Sequence, residues 1–175
     1  MRITTTAVLA ALLLGGCTTD MEKGLCPTAA VLATTSSLTV FRPGAPADPS
    51  GELYTVQMVN AKSGCDFDKD RFRTSSKVEL HFRATRAPSP DAAQYQVPYF
   101  VAVTQGGSRI LAKRVFNLNV AFEAGEASKA FTDTIDSAVI KMAKGHKIGE
   151  YEILVGLQLT QEQLDYDRKM GRFAQ

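Results

Sequence analysis

Val78-Glu79-Leu80-His81-Phe82-Arg83-Ala84-Thr85 alternates without a break. Val78, Leu80, Phe82 and Ala84 fall on one face; Glu79, His81, Arg83 and Thr85 fall on the other. Successive side chains of a strand point to opposite sides, so a period of two marks a strand with one buried face. Upstream, residues 53–61 repeat the pattern, with Tyr54, Val56 and Met58 against Thr55 and Gln57. Lys62-Ser63-Gly64 is expected to bend the chain into Cys65, and a charged stretch follows over 66–73. Further upstream, residues 31–41 are rich in Val, Thr and Leu and read as a first strand. The proline- and glycine-rich segment 42–51 stops it.

Downstream of a loop holding Pro88 and Pro90, residues 97–104 are apolar on both faces. That predicts a central or covered strand, with Pro98 near its start, where a missing N–H is tolerated. Gln105-Gly106-Gly107-Ser108 is a hairpin signal. The return strand, 109–122, places Ile110, Ala112, Phe116, Leu118, Val120 and Phe122 inward. Arg114 falls on the same face, so a bulge or bend is expected near Lys113-Arg114. Residues 128–135 form a weaker strand, with Phe131 and Ile135 inward. Residues 137–143 are ambiguous, and 145–149 read as a loop. Tyr151, Ile153, Val155, Leu157 and Leu159 then alternate through a final strand.

At Thr160 the period changes. Thr160-Gln161-Glu162-Gln163 is a capping box, in which the Thr and Gln side chains satisfy free backbone N–H groups. Tyr166, Met170 and Phe173 follow at helical spacing. About seven strands and one short terminal helix predict an all-β chain: an antiparallel sandwich, immunoglobulin- or fibronectin-like. A β-barrel is the structural alternative. The helix is expected to cover an edge or an end of the sandwich.

The N-terminal segment has a different character. Met1-Arg2 is followed by an apolar run over 3–14 and then Gly15-Gly16-Cys17. This is the layout of a secretory signal peptide with a small-residue cleavage site. The run is too short to span a bilayer, which takes about 20 helical residues. Leu14-Gly15-Gly16-Cys17 resembles the bacterial lipoprotein lipobox. The resemblance implies diacylglyceryl transfer to the Cys17 sulfur, cleavage between Gly16 and Cys17, and acylation of the new amine by a chain such as palmitate. Two or more chains anchor stably where one does not. Thr18, not Asp, follows Cys17. By the sorting rule of Gram-negative lipoproteins, this favours the periplasmic side of the outer membrane over the inner membrane. The expected organisation is a signal peptide over 1–16, a lipidated tether over 17–30, a sandwich over 31–160 and a helix over 161–175.

Several stretches resemble an uncharacterised family of small alphaproteobacterial envelope lipoproteins. They are Cys26-Pro27, Phe41-Arg42-Pro43-Gly44, residues 97–103 and residues 151–160. No activity attaches to that family, so the resemblance implies only an exported, non-catalytic role.

With Cys17 lipidated, Cys26 and Cys65 remain as an even pair in an oxidising setting and are expected to be bonded. A formal net charge of +2 over 175 residues gives no reason to expect a nucleic-acid partner. Asp66-x-Asp68-x-Asp70 has the alternate carboxylates of a calcium loop. Counting from Asp66, however, Arg71 stands where the loop needs its turn glycine, and Lys77 where it needs its bidentate Glu. A solvated charged turn explains the same residues. His81 and His146 are not at metal-ligand spacing. No nucleophile-elbow, S-x-x-K or H-E-x-x-H motif occurs, so no catalytic residue, metal or cofactor is assigned.

The expectation is therefore a periplasm-facing envelope lipoprotein. It is held to the membrane by the lipid on Cys17 and acts as a non-catalytic binding or assembly module for an envelope protein. The alternatives are a tethered envelope hydrolase and a small-ligand-binding lipoprotein.

Overall fold

A computed structural model describes residues 26–68 and 70–172. The strands are β1 (Thr28–Val31), β2 (Ser37–Phe41), β3 (Glu52–Asp68), β4 (Arg73–Arg86), β5 (Ala93–Gln105), β6 (Arg109–Phe122), β7 (Ser128–Lys141) and β8 (Tyr151–Leu157). One helix, α1 (Gln161–Met170), follows. The strands form two sheets, ordered β1-β8-β5-β6 and β2-β3-β4-β7. All pairings are antiparallel except β1 with β8. The fold is the expected all-β sandwich with a terminal helix.

The opening alternation survives intact. Val78, Leu80, Phe82 and Ala84 are buried between the sheets. They face Val97 and Tyr99 of β5 and Ile153, Val155 and Leu157 of β8 in one apolar cluster. Strand β5 lies between β8 and β6 and is buried on both faces, with Phe100, Ala102 and Thr104 covered on the side away from Val97, Tyr99 and Val101.

The strand count rises from seven to eight because the stretch expected to be tether, 17–30, already carries most of β1, while only 37–41 of the expected first strand, 31–41, is β2. β1 belongs to one sheet and β2 to the other, with a 3₁₀ turn at Ala33–Thr35 between them. Thr35 Oγ1 donates to the Leu32 carbonyl (3.2 Å) and Ser36 Oγ to that of Ala33 (2.8 Å). Such local hydroxyl bonds give the backbone an alternative to the ladder, and the chain changes sheets there.

Besides a register shift at the end of β2, between Val40 and Phe41, three bulges inside the long strands shift the side-chain parity that sequence alternation assumes. Val59 is the extra residue on β3, since Met58 pairs with Phe82 and Asn60 with His81. The chain does not bend at Lys62-Ser63-Gly64; β3 stays paired with β4 as far as Asp68. Beyond the bulge, odd-numbered residues face inward, so Ala61 and Cys65 lie opposite the buried Leu80 and Ser76. On β6 the extra residue is Leu111, not one near Lys113-Arg114; Ile110 consequently leaves the inner face. On β7 the ladder slips at Asp136-Ser137, with Ser137 at φ 72°. The ambiguous 137–143 stretch is thus the end of one long strand whose inward row changes from Phe131 and Ile135 to Ala138 and Ile140.

Cys26 and Cys65 form the disulfide, with Cα atoms 5.6 Å apart across a sequence separation of 39. The Val59 bulge makes this possible by turning Cys65 inward, toward the strand that follows Cys26. Beside it, Ser63 Oγ donates to the Pro27 carbonyl (2.7 Å). On the outer face of the same sheet as β1, the Phe100 ring lies over Gly156. A Cβ there would stand 2.0 Å from Thr35 Oγ1 and 2.9 Å from the ring.

Helix α1 starts as expected. The Gln163 N–H donates to Thr160 Oγ1 (3.2 Å), and the Thr160 N–H to Gln163 Oε1 (2.9 Å). Gly171 ends the helix at φ 64°. Tyr166 is buried, but Met170 is exposed, and Phe173 lies outside the described residues. The helix instead docks through polar groups. Asp167, 1 % exposed, accepts from Thr39 Oγ1 at Oδ1 (3.2 Å). Its Oδ2 has no hydrogen-bond partner among the described residues. Arg172 donates to Thr39 Oγ1 (2.8 Å) and Thr55 Oγ1 (3.3 Å), and pairs with Glu52 (2.7 Å), which also accepts from the Tyr166 hydroxyl.

Burial pushes the Asp167 carboxyl above its ordinary range, against the opposing pull of Thr39 and Arg172. Between its unfolded and folded pKa values, the folded state therefore holds a proton that the unfolded state releases. The cost of ionising it is absent at pH values below the ordinary carboxylate range. It grows as pH rises through the folded pKa, and is fully present above it. Asp167→Asn is therefore expected to be more stable than the parent at neutral pH and to lose that advantage in acid. Urea unfolding at several pH values checks this; an advantage independent of pH would refute the assignment.

Candidate functional site

Strands β6 and β7 are the outer strands of their two sheets on the same side of the sandwich. At one end this side is sealed. The Lys129 ammonium donates to the Ala121 carbonyl, linking β7 to β6. Arg86 donates to the carbonyls of Glu126, Asp91 and Glu123 (each 2.9 Å), and its guanidinium stacks on Phe122 at 4.8 Å. Toward the other end the sheets diverge. They leave a cleft of about 260 Å³ lined by Val101, Val103, Ala112, Arg114, Phe116, Ile135, Ala138 and Val139.

The cleft follows from the two bulges. Arg114 pairs with Val101 and so occupies the inward row of β6, next to Phe116. Its guanidinium cannot be buried without a partner, so it holds the row open to water. Among the described residues it has no ion pair. Opposite it, the Ser137 bulge on β7 bends the facing edge and leaves Val139 exposed. The adjoining surface is unusually apolar for an edge: Ile110 is 63 % and Val115 55 % exposed, and Leu111 is exposed beside them. It is also basic. Strand β6 carries Arg109, Lys113 and Arg114 and no acid. Lys113 lies 4.3 Å over the Phe100 ring and donates to Gln158 (3.1 Å), so it covers the outer face.

Deeper between the sheets, the Tyr99 hydroxyl donates to Asp133 Oδ2 (2.7 Å). Burial, and then the Asp133 hydrogen bond, push the phenol above its ordinary range. Tyr99 stays protonated at physiological pH, and the pair acts as a cross-sheet tie, not as a poised base. The sequence reading missed Asp133. Its register opposite the buried Leu80 marks an inward carboxylate, and only a buried donor from the other sheet makes that tolerable.

The other candidate residues lie apart from this cleft. Asp66 and Asp68 end β3, and Asp70 is an exposed turn residue. Burial raises the Asp68 carboxyl, but the Arg71 N–H (3.1 Å) and the Arg71 and Arg73 guanidinium groups (3.2 and 3.5 Å) hold it below its ordinary range. The two arginines thus neutralise the Asp68 carboxylate. His81 pairs with Glu79 (2.7 Å) on the polar face of the sheet. His146 pairs with Glu150 (2.6 Å) in the β7–β8 loop. No group of three or more metal-ligating side chains occurs among the described residues. Cys17 lies outside them.

No protein-family model, curated protein or solved structure matches the chain.

Proposed function

We propose that this protein is a lipid-anchored, periplasm-facing envelope lipoprotein that acts as a non-catalytic binding or assembly module, with the open β6–β7 seam as its docking face. The observation that carries the reading is the pairing of two free edges with an apolar cleft and an Arg114 that has no ion pair among the described residues. Such an edge adds a strand from a partner readily. Main-chain hydrogen bonds supply affinity, and the cleft takes alternate apolar side chains. The basic register of β6 favours a partner segment carrying acidic residues. The anchor rests on the lipobox at Cys17, with the outer membrane favoured by Thr18.

Two measurements test this. Cys17→Ser is expected to abolish acyl labelling and release the protein from membranes; unchanged labelling and fractionation would defeat the anchor. A photo-crosslinking residue at Val115, in the native envelope, is expected to give one discrete adduct that Arg114→Glu weakens severalfold. The same residue at Met170 should give none. Equal labelling at both positions, or no adduct at Val115, would remove the docking face. The cleft also supports a second reading, a small apolar ligand with an anionic head set against Arg114. That reading predicts a ligand co-purifying with the protein and lost in Arg114→Glu.

A further inference from the structure

Several segments meet at the disulfide end of the sandwich. The Met142 N–H donates to the Phe72 carbonyl (2.8 Å), joining the end of β7 to the β3–β4 turn. Thr28 of β1 pairs with Glu152, next to the 3₁₀ turn at Ile148–Glu150. The described chain therefore enters, at Cys26, on the end that carries the β3–β4 and β7–β8 turns.

An open groove of about 440 Å³ lies there, lined by Phe67, Phe72, Met142, His146, Lys147 and Ile148. Phe72 is 58 % exposed and sits at φ 46°, a conformation that L side chains disfavour. A bulky aromatic held outward in that conformation at a hairpin tip is an outlier of the kind found at contact sites. Lys147 lines the groove with it, Lys141 ends β7 opposite Arg73, and Lys144 stands in the β7–β8 loop; none has an ion pair among the described residues. Of the nearby acids, Asp68 is held by Arg71 and Arg73, and Glu150 by His146. Asp66, Asp70 and Glu152 are the opposing charges left on this end.

We infer that this end is a membrane-contact surface: the Phe72 ring enters the interface of an anionic leaflet and the lysines meet its headgroups. The inference rests on the proposed Cys17 anchor for its biological setting. Cys17 precedes Cys26 by nine residues, a short tether that favours bringing this end, and not the α1 end, to the lipid. An exposed aromatic flanked by lysines is the side-chain set that binds such surfaces, since the ring partitions at headgroup depth and each amine gains from the surface potential.

The chain contains no tryptophan, so a single introduced one reports its own surroundings. The test uses the mature chain, residues 17–175, carrying Cys17→Ser, which removes the lipid, with either Phe72→Trp or Met170→Trp. Met170 lies on α1 at the opposite end, where the helix meets Glu52. Vesicles of phosphatidylglycerol with phosphatidylethanolamine are compared with pure phosphatidylcholine. The expected result is a blue shift of Phe72→Trp emission on the anionic vesicles only, with none for Met170→Trp. Phe72→Asp should lower vesicle partitioning about tenfold. No shift at position 72, or equal shifts at both positions, would overturn the inference. An equal response on neutral vesicles would overturn the role given to the lysines. Because these chains carry no lipid, the outcome is independent of acyl labelling at Cys17. Failure of the anchor and failure of the contact surface are thus told apart.

Discussion

A chain carrying Cys26→Ser together with Cys65→Ser is expected to lose about 4 kcal/mol of stability, the chain-entropy value for a closed loop of this size. Replacing both cysteines avoids leaving one thiol free to mispair. The loss has a local cause as well as a general one. β1 is a four-residue strand whose ladder partner is β8 alone, and so short a strand is weak without a second attachment. The disulfide provides that attachment from the opposite sheet, with Ser63 and Pro27 beside it. Hydrogen exchange should show β1 amides opening first in the double variant, while β4 and β5 keep near-parental protection. Denaturant unfolding of native and reduced protein measures the total. A difference below about 1 kcal/mol would mean that β1 is held mainly by its ladder.

The second large effect is expected at Gly156. Gly156→Val should destabilise by about 3 kcal/mol, the upper part of the overpacking range. Its Cβ has no space, because Phe100 and Thr35 already occupy it. Phe100 is buried beneath Lys113, so the ring cannot swing away without uncovering the sheet. Phe100→Ala in the Gly156→Val background should recover part of the loss, although Phe100→Ala alone is destabilising. That non-additivity is the signature of a shared volume. Additive losses would place the strain elsewhere.

These two sites differ in how far the sequence discloses them. The cysteine pair is visible by counting, but its geometry is not, because Cys65 faces inward only after the Val59 bulge. Gly156 sits inside a clean alternation, and nothing local shows that an aromatic from β5 crosses it. Strands β4 and β8 were legible because one period of two runs through the apolar residues of each. The misplaced details share a physical cause: each bulge inserts one residue, and every alternation count beyond it changes face. Ile110 is the clearest case, assigned inward by its spacing to Phe116 and turned outward by Leu111. The seam was partly legible. Arg114 stood out as a charge on an apolar row, and a bulge was expected beside it. The opposing contribution from Ser137 was not legible, because a serine at positive φ leaves no mark in composition. The helix dock was missed for a related reason. Its contacts run through Asp167 and Arg172, polar residues whose partners lie on β2 and β3 far away in the chain.

The position of Cys26 just ahead of β1 also has a mechanical meaning. Tension entering from the N-terminal side reaches Cys26 before it reaches Thr28. The load passes through the sulfur–sulfur bond into Cys65 and the long β3–β4 hairpin. The short parallel ladder of β1 is bypassed and bears no pull. With the bond intact, the domain yields at the strength of its most extensively paired strands; once it is reduced, the same tug unzips four residues first.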